Sequence, residues 1–257
     1  ESYMDVEEYL PGVVAKQMPA EYGKEALRAQ AIIARTFIYQ KMNGENEVKE
    51  SELHMEYLEE KQMEAMWGSE SFVTYFQAVE EAVRSTAGRV ITCDGRLIEP
   101  LFHRASTGMT RSGDESHPYL QAVASKRDVE AEGYLTMMVW SKEEFAGRIN
   151  QIAGSVPVDA GQLPQSIQMI VRDDGGYVGQ IQIGTKVYTG EEVQYALGLP
   201  SPSYTLEEYD GGIRAVCQGV GHGYGLSQYG AKCMAEEGKT AEEILDYFYK
   251  NIVLISE

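Results

Sequence analysis

The stretch KEALRAQAIIARTFIYQKM (24–42) constrains the fold more than any other part of the chain. Leu27, Ala31, Ala34 and Ile38 recur at helical spacing, and Ala26, Ile33 and Phe37 make a second stripe beside the first. A helix apolar over so much of its circumference must be wrapped by other elements, so the fold has to be built around it. Gln30 and Arg35 lie inside this run, and each needs hydrogen-bonding partners if buried. Two roles are open to them: tying loops to the core helix, or orienting a site.

The remaining periodicities give an α+β reading: mixed helices and antiparallel strands around one core. SELHMEYLEEKQMEAMW (51–67) reads as a solvated helix or a loop with helical turns. SFVTYFQAVEEAVRSTAG (71–88) reads as a helix with Gly88 as its C-cap. RVITCDGRLIEPLFH reads as a hairpin turning at Asp94-Gly95. Residues 167–190 read as strands, and GEEVQYALGL as a short helix. Ser141 with Glu144, and Thr240 with Glu243, form capping boxes for two further helices, the second turning Ile244, Leu245 and Phe248 inward. One domain is expected over 1–257, with room for a smaller subdomain inserted at about 120–200.

Twenty-two basic against forty acidic residues give a net charge of −18, which argues against nucleic acid or an anionic membrane as the main partner. No apolar run approaches the roughly 20 residues of a membrane span. The chain opens directly in folded-looking sequence, as a segment trimmed of a signal or anchor would. Cys93, Cys217 and Cys233 are odd in number and far apart, so a disulfide scaffold and a four-cysteine zinc site are excluded. Buried, unreactive thiols are expected.

Three clusters carry polar groups in backbone that leaves room around them. The first is GVGHGYGLSQYGA (219–231), with glycine at 219, 221, 223 and 225 around His222, followed by Ser227 and Gln228. It reads either as a glycine-rich strand-to-helix turn with His222 hydrogen-bonded in the core, or as an extended wall against which a polymer lies. The second is LFHRASTGMTRSG, where His103 precedes Ser106 and Thr107. The G-x-S-x-G elbow is missing, so sugar-binding hydroxyls or plain turn chemistry fit better than a serine nucleophile. The third is VVAKQMPAEYGKEALRAQA, in which Met18-Pro19 is an extended lead-in and Glu21 and Glu25 lie near a helix start. There the helix dipole alone accounts for a glutamate.

These clusters, in this order, resemble the SpoIID/LytB family, the stage II sporulation protein D and amidase-enhancer proteins. VEEYLPGVVAKQMPAEYGKEALRAQAIIARTF resembles the opening block of that family, IEPLFHRASTGMTRSGDESHPYLQAV its middle block, and TGEEVQYALGLPS with GVGHGYGLSQYGAKCMAEEGKTAEEILDYFY its closing blocks. The resemblance implies an extracytoplasmic protein, membrane-anchored or secreted, acting on peptidoglycan. It implies a lytic transglycosylase that cleaves MurNAc–GlcNAc strands to 1,6-anhydro ends and works with a cell-wall amidase and other engulfment proteins. The alternative is a non-catalytic, peptidoglycan-binding enhancer of an N-acetylmuramoyl-L-alanine amidase. No cofactor is expected, and a zinc site is not carried over, because Cys93 and His103 have no second cysteine nearby.

A glycan groove is expected, walled by the start of the 24–42 helix, the 103–112 loop and the 219–231 stretch, because their polar residues accompany glycine or turn sequence that must leave room for something. Arg35, His103, Ser106, Thr107, His222, Ser227 and Gln228 would orient substrate. The family reads E-M-P at the start of its first helix, here the 24–42 helix, with that glutamate as the acid; this chain reads Gln17-Met18-Pro19. An amide has the shape of the carboxyl group and no proton to give. Three explanations stay open: an introduced substitution, loss of catalysis with binding kept, or transfer of the role to Glu21 or Glu25.

Overall fold

The computed structural model describes residues 3–256. They run through α1 (Val6–Gln17), α2 (Lys24–Met42), α3 (Glu50–Leu53), α4 (Glu60–Trp67) and α5 (Ser69–Arg84), then β1 (Arg89–Cys93), β2 (Arg96–Leu97) and β3 (Phe102–His103). There follow β4 (Leu135–Trp140), α6 (Lys142–Ile149), β5 (Ile167–Arg172), β6 (Val178–Ile183), β7 (Lys186–Thr189) and α7 (Gly190–Leu197). The chain closes with β8 (Tyr204–Tyr209), β9 (Gly212–Gln218), β10 (Leu226–Ser227), α8 (Gln228–Glu236), α9 (Ala241–Phe248) and β11 (Ile252–Ser256). The class is α+β. The chain forms two units: one takes residues up to Phe102, Ser112–Gln121 and residues from Gln228 on, the other His103–Arg111 and Ala122–Ser227.

The first unit is organised by α2, which packs against α1, α5, α8, α9 and β1. Its alanines let neighbouring backbones come close on several sides, and nearly all its residues from Ala26 to Thr36 are buried. Thr36 ties it to the sheet: its hydroxyl donates to the Ile32 carbonyl at 2.7 Å and accepts from the Ile91 N–H at 2.9 Å. β1 pairs antiparallel with β11 on one side and β2 on the other. Asp94 (φ 49°) and Gly95 (φ 74°) make the β1–β2 turn, as the Asp-Gly dipeptide predicts.

Two local expectations need correction. α5 stops at Arg84, with Ser85 as its cap; Gly88 (φ 69°) lies in the turn that enters β1 and caps nothing. α1 has no counterpart in the sequence reading, and Gln17 closes it instead of standing at the start of the 24–42 helix. Pro11 inside α1 removes one N–H from the helical ladder, an interruption that the burial of Leu10, Val13 and Val14 against neighbouring helices outweighs. Residues 51–67 resolve into α3 and α4 with an irregular segment between them.

The second unit holds two three-stranded antiparallel sheets, β4–β9–β8 and β5–β6–β7, with α6 and α7 packed on them. Trp140, Phe145, Ile181, Tyr188, Val193 and Ile213 are among the residues of its core. The predicted Ser141–Glu144 box caps α6, and the Thr240–Glu243 box caps α9 in the first unit. Thr189 with Glu192 makes a third box, at α7. Cys217 and Cys233 are buried and Cys93 half-buried, all as thiols. Among the described residues no helix is long and apolar enough to cross a membrane.

Candidate functional site

In the first unit Gln17 sits where three glutamines meet. The Gln30 amide N–H donates to Gln17 Oε1 at 2.8 Å, and the Gln228 amide donates to the Gln17 carbonyl at 2.7 Å and to Gln30 Oε1 at 3.2 Å. Gln30 and Gln228 are buried while Gln17 is half-buried. The network thus fixes both the backbone and the amide of residue 17, and turns the amide oxygen toward Gln30. Gln30 thus holds the side chain of residue 17 in place.

Gln17 lines a cleft of about 470 Å³ whose other walls include Lys16, Phe37, Lys41, His54, Glu56 and Phe102. Among the residues lining it, Glu56 bears the one carboxylate, and it pairs with Lys16 at 3.5 Å. The 53–56 wall is held by its neighbours: Tyr57 stacks on Tyr9 with centroids 4.8 Å apart, and the Leu58 N–H donates to the Gly12 carbonyl. A Cβ on Gly12 would lie 2.2 Å from the Tyr57 ring, so that contact requires glycine. Glu56 carries no local signature of its own, so the sequence of 51–67 assigns it no role.

Three of the proposed residues lie elsewhere in the unit. Arg35 is fully buried, bidentate to Glu7 at 2.6 and 2.8 Å, with further bonds to Thr86 and to the Val83 and Arg89 carbonyls. Its guanidinium ties α1 and α5 to α2, and joins the segment between α5 and β1 to them through Thr86. Glu25 grips Arg28 at 2.9 Å and accepts from the Ala241 N–H at 2.8 Å, so it caps α9. Glu21 is exposed on a short 3-10 turn, Ala20–Tyr22.

In the second unit the polar residues gather around Asp128, which the sequence reading missed. Its Oδ2 accepts from the Ser106 N–H at 2.7 Å and from the Ser106 hydroxyl at 2.5 Å; its Oδ1 accepts from the hydroxyls of Ser125 (2.8 Å) and Ser227 (2.9 Å). Burial pushes the Asp128 carboxyl above the usual carboxylate range, against the pull of these serine hydrogen bonds. Ser106 is therefore a ligand of a carboxylate and has no histidine base. The Thr107 hydroxyl donates to the Gly175 carbonyl at 2.6 Å.

His103 is buried, and its Nδ1 lies 3.0 Å from the Tyr224 carbonyl, which requires the proton on Nδ1. Burial drops its pKa to about 3, opposed by that hydrogen bond, so the ring is neutral at ordinary pH. The His222 ring stands 5.9 Å from it, edge-on, and its Nδ1 accepts from the Tyr224 N–H at 3.0 Å. Arg111, another residue passed over, bridges Asp173 and Glu191 at 2.8 Å each, with the rings of Tyr177 and Tyr224 within 5 Å of its guanidinium carbon.

The alternating glycines are explained by the protein's own atoms. Gly221 (φ 101°) and Gly223 (φ 85°) have backbones that L side chains rarely adopt. A Cβ on Gly221 would come 2.7 Å from His103 Cβ, and one on Gly223 2.4 Å from the Tyr177 ring. Close packing against residues 103–106 and Tyr177 accounts for glycine at these positions. Among the described residues no group of three or more His, Cys, Asp or Glu is placed to hold a metal ion.

The profile of a family described as "Stage II sporulation protein" matches residues 2–93. Stage II sporulation protein D of Bacillus amyloliquefaciens is 32% identical over 260 residues, covering 96% of this chain and 73% of that protein. Its counterpart in Bacillus subtilis is likewise 32% identical, covering 95% and 73%. A Bacillus subtilis protein named "Amidase enhancer" is 25% identical, covering 96% of this chain and 40% of that one.

Proposed function

The chain belongs to the stage II sporulation protein D family, and on that footing we propose that it binds the glycan strands of peptidoglycan in the cleft of the first unit. Gln17 then occupies the acid position of a lytic transglycosylase. The observation that carries this reading is the orientation of Gln17: two buried glutamines hold a half-buried amide at the wall of a cleft that also presents Phe37 and Phe102. Aromatic faces suit the apolar faces of sugar rings, and the Gln17 amide nitrogen is a donor for a sugar oxygen. The strand is met outside the cytoplasmic membrane, where peptidoglycan lies.

Cleavage to a 1,6-anhydro end needs a proton delivered to the glycosidic oxygen while the 6-hydroxyl of the same sugar attacks its anomeric carbon. A carboxylic acid supplies that proton and, as carboxylate, receives the one released by the 6-hydroxyl. An amide does neither, and loss of a general acid lowers the rate about 10²- to 10⁴-fold. Glu25 is occupied in capping α9, and Glu56 is ion-paired with Lys16. The reading is therefore binding with cleavage impaired.

Gln17→Glu tests it. The variant should release 1,6-anhydro muropeptides from purified glycan strands while the parent binds them and releases few or none. Absence of binding by both proteins overturns the proposal. If the parent cleaves briskly, Glu56→Gln and Glu25→Gln identify the carboxylate responsible. The amide at position 17 also favours a second reading, a non-catalytic enhancer of a cell-wall amidase, in keeping with the name of one relative. Stimulation of an amidase by the parent and by Gln17→Glu alike, with no glycan product from either, distinguishes it.

A further inference from the structure

Half of the chain's net charge lies in one short segment. Residues 45–81 carry eleven glutamates against two lysines, a net of −9 out of −18. The same segment builds α4 and the first half of α5, where Trp67, Phe72, Tyr75 and Phe76 form one aromatic cluster. Trp67 meets Phe72 at 6.3 Å and Tyr75 at 5.8 Å between ring centroids, and Phe72 stacks on Phe76 at 5.4 Å. These rings are only half-buried, and the same two helices expose Met66 (49%) and Val73 (57%) to solvent. The buried stripe of α5 lies further along, at Val79, Ala82 and Val83.

A contiguous apolar surface bordered by charge marks an interaction site, because scattered apolar residues would be evenly solvated. Its border chooses the partner. Glu60, Glu64 and Glu70 are exposed around it on α4 and at the start of α5. Such a field repels nucleic acid, anionic lipid and a second copy of the same face, and attracts cations. We propose that the α4–α5 face is a docking surface for a basic, amphipathic protein segment, with apolar side chains set on the Trp67–Phe76 cluster and lysines or arginines facing the glutamates. This inference stands apart from the cleft and does not depend on glycan binding.

The two tryptophans make the test direct, because Trp67 lies in the patch and Trp140 is buried in the core of the second unit. The probe is a synthetic helical peptide of about eighteen residues with leucines on one face and lysines on the other. It should shift Trp67 emission to the blue and saturate, and the shift should vanish in Trp67→Phe. Val73→Glu adds negative charge while removing apolar contact; it should weaken binding about tenfold, as should Met66→Glu. Glu64→Gln with Glu70→Gln should weaken it several-fold and flatten its salt dependence. Both apolar positions are exposed, and circular dichroism verifies the fold of each variant.

Equal or tighter binding by Val73→Glu means that charge alone is recognised, and overturns the proposal. So does equal affinity for a lysine–serine peptide or for a leucine–glutamate peptide. Self-association through this face, abolished by Val73→Glu, would assign it to a second copy and overturn it as well.

Discussion

His103 offers a prediction whose size follows from its surroundings. Its ring is enclosed, its Nδ1–H is spent on the Tyr224 carbonyl, and its pKa stands near 3 against about 6.5 for an unperturbed imidazole. As pH falls below about 6.5 the unfolded chain takes up a proton that the folded chain refuses, so stability is lost until the folded group protonates near pH 3. Between about pH 7.5 and pH 5 that loss is about 2 kcal/mol. This value hardly depends on where the folded pKa lies, provided it is below about 4.

The perturbation is His103→Asn, whose amide places an N–H near the position of Nδ1 and does not titrate. Urea unfolding is followed by Trp140 fluorescence in a Trp67→Phe background, so that the signal reports the second unit. The variant is destabilised at about pH 7.5 by the cavity it leaves. The gap between parent and variant should then narrow by about 2 kcal/mol on going to about pH 5. Other groups, Asp128 included, titrate in both proteins and cancel in the difference. A gap that stays constant within about 0.5 kcal/mol between the two pH values refutes the reasoning, because it means the ring protonates as readily folded as unfolded.

Two further outcomes are expected. Gly223→Ala places a methyl group 2.4 Å from the buried Tyr177 ring on a φ of 85°, whereas Gly238→Ala, at φ 83°, meets nothing within 4 Å. The second should cost about 1 kcal/mol and the first at least about 2 kcal/mol more, read from paired thermal melts; equal costs would mean that Tyr177 yields. Glu25→Gln should lower stability by about 1 kcal/mol through weaker gripping of Arg28 and a poorer cap on α9, without changing glycan binding or cleavage in the Gln17→Glu background. Loss of cleavage there would give Glu25 a chemical role.

The elements readable in the sequence are those whose stabilising contacts lie within a few residues. The capping boxes at Ser141 and Thr240 join residues three apart, the Asp94-Gly95 turn needs only its own dihedral angles, and α2 shows its apolar stripes directly. Asp210-Gly211, with φ of 49° and 76°, marks the β8–β9 turn by the same signal, which the sequence reading did not use. The α+β class and the family blocks were legible for the same reason, since both rest on local strings.

Tertiary structure alone decided what those strings are for. α1 survives Pro11 because distant helices cover its apolar side, and no window of local sequence contains them. Asp128 binds Ser106 and Ser227, 22 and 99 residues away, and Gln17 meets Gln30 and Gln228, 13 and 211 residues away. Nothing near Asp128 or Gln30 announces these partners. A hydrogen bond across such separations exists only after the intervening chain has been folded, at the cost of loop closure, into one arrangement. The alternating glycines show the same division: their conformational freedom was plain in the sequence, but only the fold revealed that His103 and Tyr177 occupy the space they leave.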